Sequence, residues 1–338
     1  MSKGVTRLED LAKLAGVSIA TASRALNDSP AVNKRTKQAI WKLAREMDYP
    51  FRRYMPAGPI GAEGTIAIIV PRPQGRELHF SDPFFLELFA GVGEATRERG
   101  GCDFLVSHIA PATFEDVASA METSRADGVI FLGQSTLHSA YNRLVETDAR
   151  FVVWGAQLPD QAYCSVGSDN LLGGRRATLH LARLGRKRIV FLGDIEAPEA
   201  MQRHRGYQDA LEHLKLPFDP DLVVPAHFEI ESAEGAVDAL IHRGIAFDGI
   251  VAASDLIALG AIRALKHASM AVPQDVSVIG YDDVPFARYA SPSLSTISQN
   301  TAKAGRMLVS KLLDAGGQKT GRSERIPTDL IIRESCGG

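Results

Sequence analysis

Cysteine is scarce, with three in 338 residues, and Cys102, Cys164 and Cys336 stand far apart. An odd, scattered set excludes a disulfide framework and a CxxC metal site. Cys102 and Cys164 read as buried or incidental thiols. No apolar run approaches the ~20 residues that span a bilayer, and the N-terminus lacks the charged-then-apolar layout of a signal peptide. A cytoplasmic protein without a membrane partner is expected. GxSxG, Walker A and a GxGxxG following a strand are missing too. Gly91-Val92-Gly93 lies inside a helical pattern and is no phosphate loop. No enzyme is expected. The nine histidines show no metal-ligand spacing, so neither a metal nor another cofactor is expected. What remains is ordinary for a globular protein: 45% hydrophobic content and length for two domains or more.

Charge of one sign is missing overall, the formal total being −2, but its distribution is uneven. Up to Arg53 there are eleven Lys/Arg against five Asp/Glu, so the remainder carries −8. A basic head on an acidic body points to nucleic acid. In the head, Leu8, Leu11, Ala12 and Ala15 recur at helical spacing, and Thr6 with Glu9 fits a capping box. Gly16 ends that helix. Ser18 suits the cap of a second, with Ala22, Ala25 and Leu26 inward and Ile19, Ala20, Ser23 and Arg24 outward. Asn33 should cap a third over 33–47, burying Ile40, Leu43 and Ala44. A plain helical hairpin is the blander alternative to a helix-turn-helix.

The run AGVSxxTxSRxLN, followed by VNKRT and Tyr49, resembles the DNA-binding head of the lactose-repressor (LacI/GalR) family, whose usual TVS reads here Thr21-Ala22-Ser23. The resemblance implies operator DNA as a partner and Thr6, Ser18, Ile19, Ala20, Thr21, Ser23, Arg24, Asn27 and Asn33 as its contacts, with the start of the second helix in the major groove. The linker, 48–63, is rich in Pro and Gly. Family members carry a PNxxARxL hinge helix there, which this chain lacks, and Pro56 and Pro59 would interrupt a helix. Met55, flanked by Arg52 and Arg53, is the substitute for the minor-groove wedge; a plain tether is the alternative.

Beyond the linker, short apolar runs alternate with helical patterns. Strands are expected at 65–70, 104–106, 129–132 and 151–154, then at 189–192, 222–224, 250–252 and 276–279, all buried and parallel. The alternation predicts an α/β sensor of two doubly wound parallel-sheet lobes, with the ligand cleft beyond the strands' carboxyl ends. SDNLLGGRRATLHLARLGRKRIVFLG, RHRGYQDAL, SDLIALGAIRAL and VPQDVSVIGYDDVPFARYASPSLSTISQ resemble the family's sensor, which is periplasmic-binding-protein-like. That resemblance divides the chain into a head (1–50), a hinge (51–63) and an effector domain (64–338), with an N-lobe of 64–165 and 297–325 and a C-lobe of 166–296 and 326–338.

Arg203 opens an RxxGY run after a strand end, and its planar fork suits two ligand oxygens. Asp255 follows the strand at 250–253; it reads either as an effector contact accepting from sugar hydroxyls or as a helix N-cap. Phe84, Phe85, Trp154 and Phe228 match aromatic pocket positions of the family, and Gln299 follows the SPSLSTIS crossover. Aromatic walls with a few placed polar groups are the usual ligand site. The reading is therefore an effector-controlled dimeric repressor of carbohydrate-use genes. The alternatives are a regulator sensing a nucleobase or a sugar phosphate and, more remotely, an enzyme on the same lobes. The end at LIIRESCGG carries no leucine heptad, so a homodimer is expected.

Overall fold

The computed structural model describes residues 7–26, 31–47, 64–72, 82–100, 102–124, 126–147, 149–314 and 322–338. Thr6, Asn27, Met55 and the hinge at 51–63 lie outside them. The chain divides into two compact units, Met1–Pro56 and Ala57–Gly338.

In the first unit α1 (Leu8–Leu14), α2 (Ile19–Leu26) and α3 (Lys34–Glu46) close over Leu11, Ala25, Val32, Ile40 and Ala44, with Leu43 half-buried against them. Gly16 takes φ +66 between α1 and α2, a left-handed turn that glycine adopts without penalty. Thr6 of the expected capping box lies outside the described residues, and Arg7 holds the cap position of α1 with no side-chain hydrogen bond. The other two caps form: the Thr21 amide donates to Ser18 Oγ at 3.1 Å, and the Thr36 amide to Asn33 Oδ1 at 2.9 Å.

The second unit begins with β1 (Thr65–Ile69), α4 (Pro83–Glu98), β2 (Asp103–Val106), α5 (Phe114–Ser124), β3 (Gly128–Leu132), α6 (His138–Leu144), β4 (Phe151–Trp154) and β5 (Ser165–Ser168). It continues with α7 (Asn170–Arg183), β6 (Ile189–Leu192), α8 (Pro198–Leu214), β7 (Val223–Val224), α9 (Ile230–His242), β8 (Gly249–Ala252), α10 (Asp255–His267), β9 (Ser277–Asp282) and α11 (Pro285–Tyr289). Last come β10 (Ser295–Ser298), α12 (Thr301–Asp314), β11 (Glu324–Ile326) and β12 (Asp329–Ile331). Among the described residues the strands form two sheets of six, ordered β11-β5-β4-β3-β1-β2 and β12-β10-β9-β8-β6-β7. All pairings are parallel except β10 with β12.

Strand alternation builds the two sides of the first sheet. Ile66, Ile68, Ile130, Leu132 and Trp154 point to the side covered by Leu88 and Val92 of α4 and Leu308 and Leu312 of α12. Ala67, Ile69, Val129, Phe131 and Val153 point to the other, under α5 and α6. Both faces are apolar, as a parallel sheet clad in helices requires. One strand departs from the expected burial: β2 is the sheet edge, and Phe104 and Val106 are exposed.

The lobe limits differ from those expected. β5 runs to Ser168 inside the first sheet, so the first crossing falls after 168 rather than 165. β10 keeps Ile297 and Ser298 in the second sheet, so the return falls after 298. The third crossing lies between β11 and β12, after Ile326. SVGS and STIS form short strands of small polar residues without an apolar run, which is why their edges slip in a sequence reading.

Candidate functional site

In the head, burial sorts α2 into two faces. Ala22 and Ala25 are fully buried, whereas Ser18, Ile19, Ala20 and Arg24 are exposed and Thr21 and Ser23 half-buried. Ile19 keeps half of its surface open to solvent. Asn33 is exposed while its side chain caps α3. The α2 surface thus offers a small apolar step, two hydroxyls and one guanidinium, a set suited to base edges and phosphates.

The sensor's cleft lies between its two lobes, with a volume of about 510 Å³. Its N-lobe wall is aromatic. Asp82 caps α4 by accepting from the Phe84 amide at 2.9 Å, and Pro83 follows at the first helical position, where its missing N–H costs nothing. The helix start so fixed carries Phe84 and Phe85, their ring centroids 5.9 Å apart. Trp154, at the carboxyl end of β4, sits 5.8 Å from Phe84. Gln134 completes this wall. Its Nε2 donates to the Ala156 carbonyl and the Tyr163 hydroxyl, each at 2.7 Å, and its buried Oε1 has no hydrogen-bond partner.

The C-lobe wall is polar. Arg203 lies in the second turn of α8 and is nearly buried. Its placement depends on glycine: a Cβ at Gly174 would come within 2.1 Å of the Arg203 carbonyl oxygen, and one at Gly206 within 2.0 Å of the Leu171 oxygen. These bare positions let α7 and α8 pack backbone to backbone. Arg203 Nε then donates to Asn170 Oδ1 at 2.8 Å and Nη1 to the Ala253 carbonyl. The guanidinium stacks 3.6 Å over the Tyr281 ring, and Nη1 is 4.0 Å from Asp282 Oδ1.

Asp282 is the residue that sequence reasoning missed. It ends β9 at φ +121, and Asp283 follows at φ +61, two left-handed residues in a row where neither is glycine. Such strain is held only by surrounding structure and concentrates at binding sites. Burial pushes the Asp282 carboxyl well above the ordinary range, with Arg203 opposing. Gln299 Nε2 donates to Asp282 Oδ1, while Ser168 Oγ donates to Gln299 Oε1. Gln299 therefore stands in the cleft as expected and ties the end of β5 in one lobe to Asp282 in the other. The run Gly280-Tyr281-Asp282-Asp283 at the end of a strand was the available signal.

Asp255 is a correction. It is fully buried and does not line the cleft, although Ser254 and Leu256 on either side do. Thr296 Oγ1 donates to its Oδ1 and the Val284 amide to its Oδ2 at 2.9 Å. Burial raises its carboxyl to about 7. Gly280 makes room, since a Cβ there would meet Asp255 Oδ1 at 2.3 Å. Nor is Asp255 the cap of α10; Ser254 Oγ accepts from the Ile257 amide. Asp255 is a clamp joining α10 to the β9–α11 turn and β10. Phe228 lines the cleft ahead of α9.

A sequence model for the lacI family of bacterial regulatory proteins matches residues 7–50, and one for a periplasmic binding protein-like domain matches residues 178–336. The chain is 31% identical over 333 residues to the HTH-type transcriptional regulator CelR of Thermobifida fusca, covering 97% of each. The chain belongs to the lacI family. As a member it is a helix-turn-helix transcriptional regulator with a periplasmic-binding-protein-like sensor. It is also 28% identical to the repressor PurR of Haemophilus influenzae (strain ATCC 51907 / DSM 11121 / KW20 / Rd), over 97% of this chain and 98% of that one. The solved CelR–cellobiose complex superposes with a TM-score of 0.71 at 30% identity, covering 98% of this chain and 100% of that one. No helix among the described residues is long and apolar enough to cross a membrane.

Proposed function

We propose that this lacI-family regulator is a cytoplasmic homodimer that represses carbohydrate-use genes and responds to a sugar held in the interlobe cleft, without enzymatic turnover. The observation that carries the reading is the two-sided cleft. Phe84, Phe85 and Trp154 come from one lobe and Arg203, Phe228 and Asp282 from the other. A ligand gripped from both sides has different affinity for different lobe angles, which is the sole way in which it can shift the DNA-binding equilibrium. The likeness to a regulator solved with cellobiose supports a saccharide. On the DNA side, Ile19 and Ala20 offer apolar surface to thymine methyls, Arg24 offers hydrogen bonds to a guanine or a phosphate, and Met55 serves as a minor-groove wedge.

The test is operator titration with and without saccharide, using DNA selected from a random pool by the protein itself. Arg24→Ala should weaken specific binding by about 1–3 kcal/mol; an equal loss on random DNA would assign Arg24 to phosphate alone. Met55→Ala should reduce operator bending. Arg203→Ala should retain operator binding and lose the response to ligand, and a normal response in that variant would put the effector elsewhere.

A further inference from the structure

The cleft's charge and size define the chemical class of its occupant. Asp82, Asp194, Glu196, Glu199, Glu231 and Asp282 all line it, whereas Arg203 is its one Lys or Arg among the described residues. The charge of Arg203 is already answered by the Ala253 carbonyl, Asp282 and the Tyr281 ring. His227 Nδ1 stands 3.3 Å from Asp194, so whatever charge it carries is answered within the cleft wall. A ligand anion would add like charge to a desolvated acidic wall.

The wall is also rich in acceptors and poor in donors. Gln134 is fully buried and its Oε1 is unpartnered. The amide cannot be turned over to cure this, because Nε2 already faces the Ala156 carbonyl, which accepts only. A buried acceptor without a donor is costly, and Gln134 is itself one of the residues that line the cleft. Opposite the C-lobe carboxylates stands the aromatic surface of Phe84 and Trp154, which takes a ring's C–H face. At about 510 Å³ the cleft lies within the range of drug-sized ligands, beyond what a single hexose ring fills.

We propose that the effector is an uncharged saccharide of at least two rings, and that the cleft carboxylates reject sugar phosphates, uronates and other anions. This rests on the reading of the cleft as the effector site. Calorimetric titration of the full chain with neutral hexose and pentose mono-, di- and trisaccharides, alongside hexose phosphates, disaccharide phosphates, hexuronates and amino sugars, tests it. A neutral di- or trisaccharide should bind tightest, with its phosphorylated or uronic counterpart at least about 100-fold weaker, the scale of an uncompensated like charge in a desolvated site. Glu196→Gln combined with Glu231→Gln should narrow that ratio. Equal or tighter binding of an anion, a monosaccharide or an amino sugar would overturn the proposal. So would an unchanged ratio in the double variant, or failure of every neutral oligosaccharide to bind. The same samples, titrated with selected operator, separate the two ideas. An anion that binds and alters DNA affinity sinks the ligand class and keeps the regulator; a neutral disaccharide that binds without altering DNA affinity does the reverse.

Discussion

The sensor's two lobes share one strand order, β11-β5-β4-β3-β1-β2 matching β12-β10-β9-β8-β6-β7, yet they meet the cleft with different chemistry. The N-lobe presents aromatic rings, from the start of α4 and the end of β4. The C-lobe presents Arg203 and Asp282, from the second turn of α8 and the end of β9. Their helix pairs obey the same packing rule, since Gly305 against Gly91 between α12 and α4 repeats the close approach of α7 and α8. The frame therefore sets where cleft side chains stand, and the residues at strand ends and first helical turns set what they do. Polar groups buried on one side and apolar rings on the other also make the lobes unequal in stability terms. The C-lobe carries charges that need partners, whereas on the N-lobe wall the buried Gln134 Oε1 stands without one.

The largest expected break in this contrast is Arg203→Ala. It strands Asp282 as a buried carboxylate without its countercharge and should lower C-lobe stability by about 3–5 kcal/mol, read by urea denaturation. Adding Asp282→Asn should restore most of the loss, and failure to restore it would deny the pairing.

Next comes pH. Burial lifts Asp255 to about 7, above the ~3.9 of an unfolded chain. Between those values the native state binds more protons than the unfolded state, so stability falls as pH rises through the window. The slope is at most about 1.4 kcal/mol per unit from this group and vanishes above the folded value. Asp255→Asn should flatten the curve measured from pH 4 to 8; an unchanged slope would assign it to other carboxyls.

Smaller again, Gly174→Ala and Gly305→Ala should each cost about 1–3 kcal/mol by forcing a helix pair apart. The first should also weaken saccharide binding, because the Cβ would strike the Arg203 backbone. Equal ligand losses in both variants would blur the distinction between the walls. Smallest, Phe84→Leu should lower saccharide affinity by about 0.5–1.5 kcal/mol while leaving stability near that of the parent chain.

Legibility in the sequence tracked how local each feature is. Ser18 and Asn33 were readable as caps because a cap and its helix lie within three residues, and α2's faces followed from its spacing alone. Phe84, Phe85, Trp154, Arg203, Phe228 and Gln299 were placed in the cleft by resemblance, and each lines it. Long-range features were the ones that slipped: β5 and β10, stabilised by neighbours distant in sequence, and the edge position of β2, which depends on which strands find partners.

Asp255 and Asp282 state the limit most plainly. Each stands at the carboxyl end of a strand or just beyond it, and each is a carboxylate with an apolar run before it, so composition and spacing make them equivalent. The sequence by itself determined a basic head with a reading helix, an alternating α/β body with two lobes, and a cleft at the strands' carboxyl ends, because periodicity and turn chemistry act within a few residues. Only the tertiary structure decided which aspartate faces the cleft. Thr296, Val284 and the space left by Gly280 enclose Asp255, while Arg203 and Gln299 hold Asp282 at the cleft. Burial and its compensating hydrogen bonds are set by groups brought together from far along the chain.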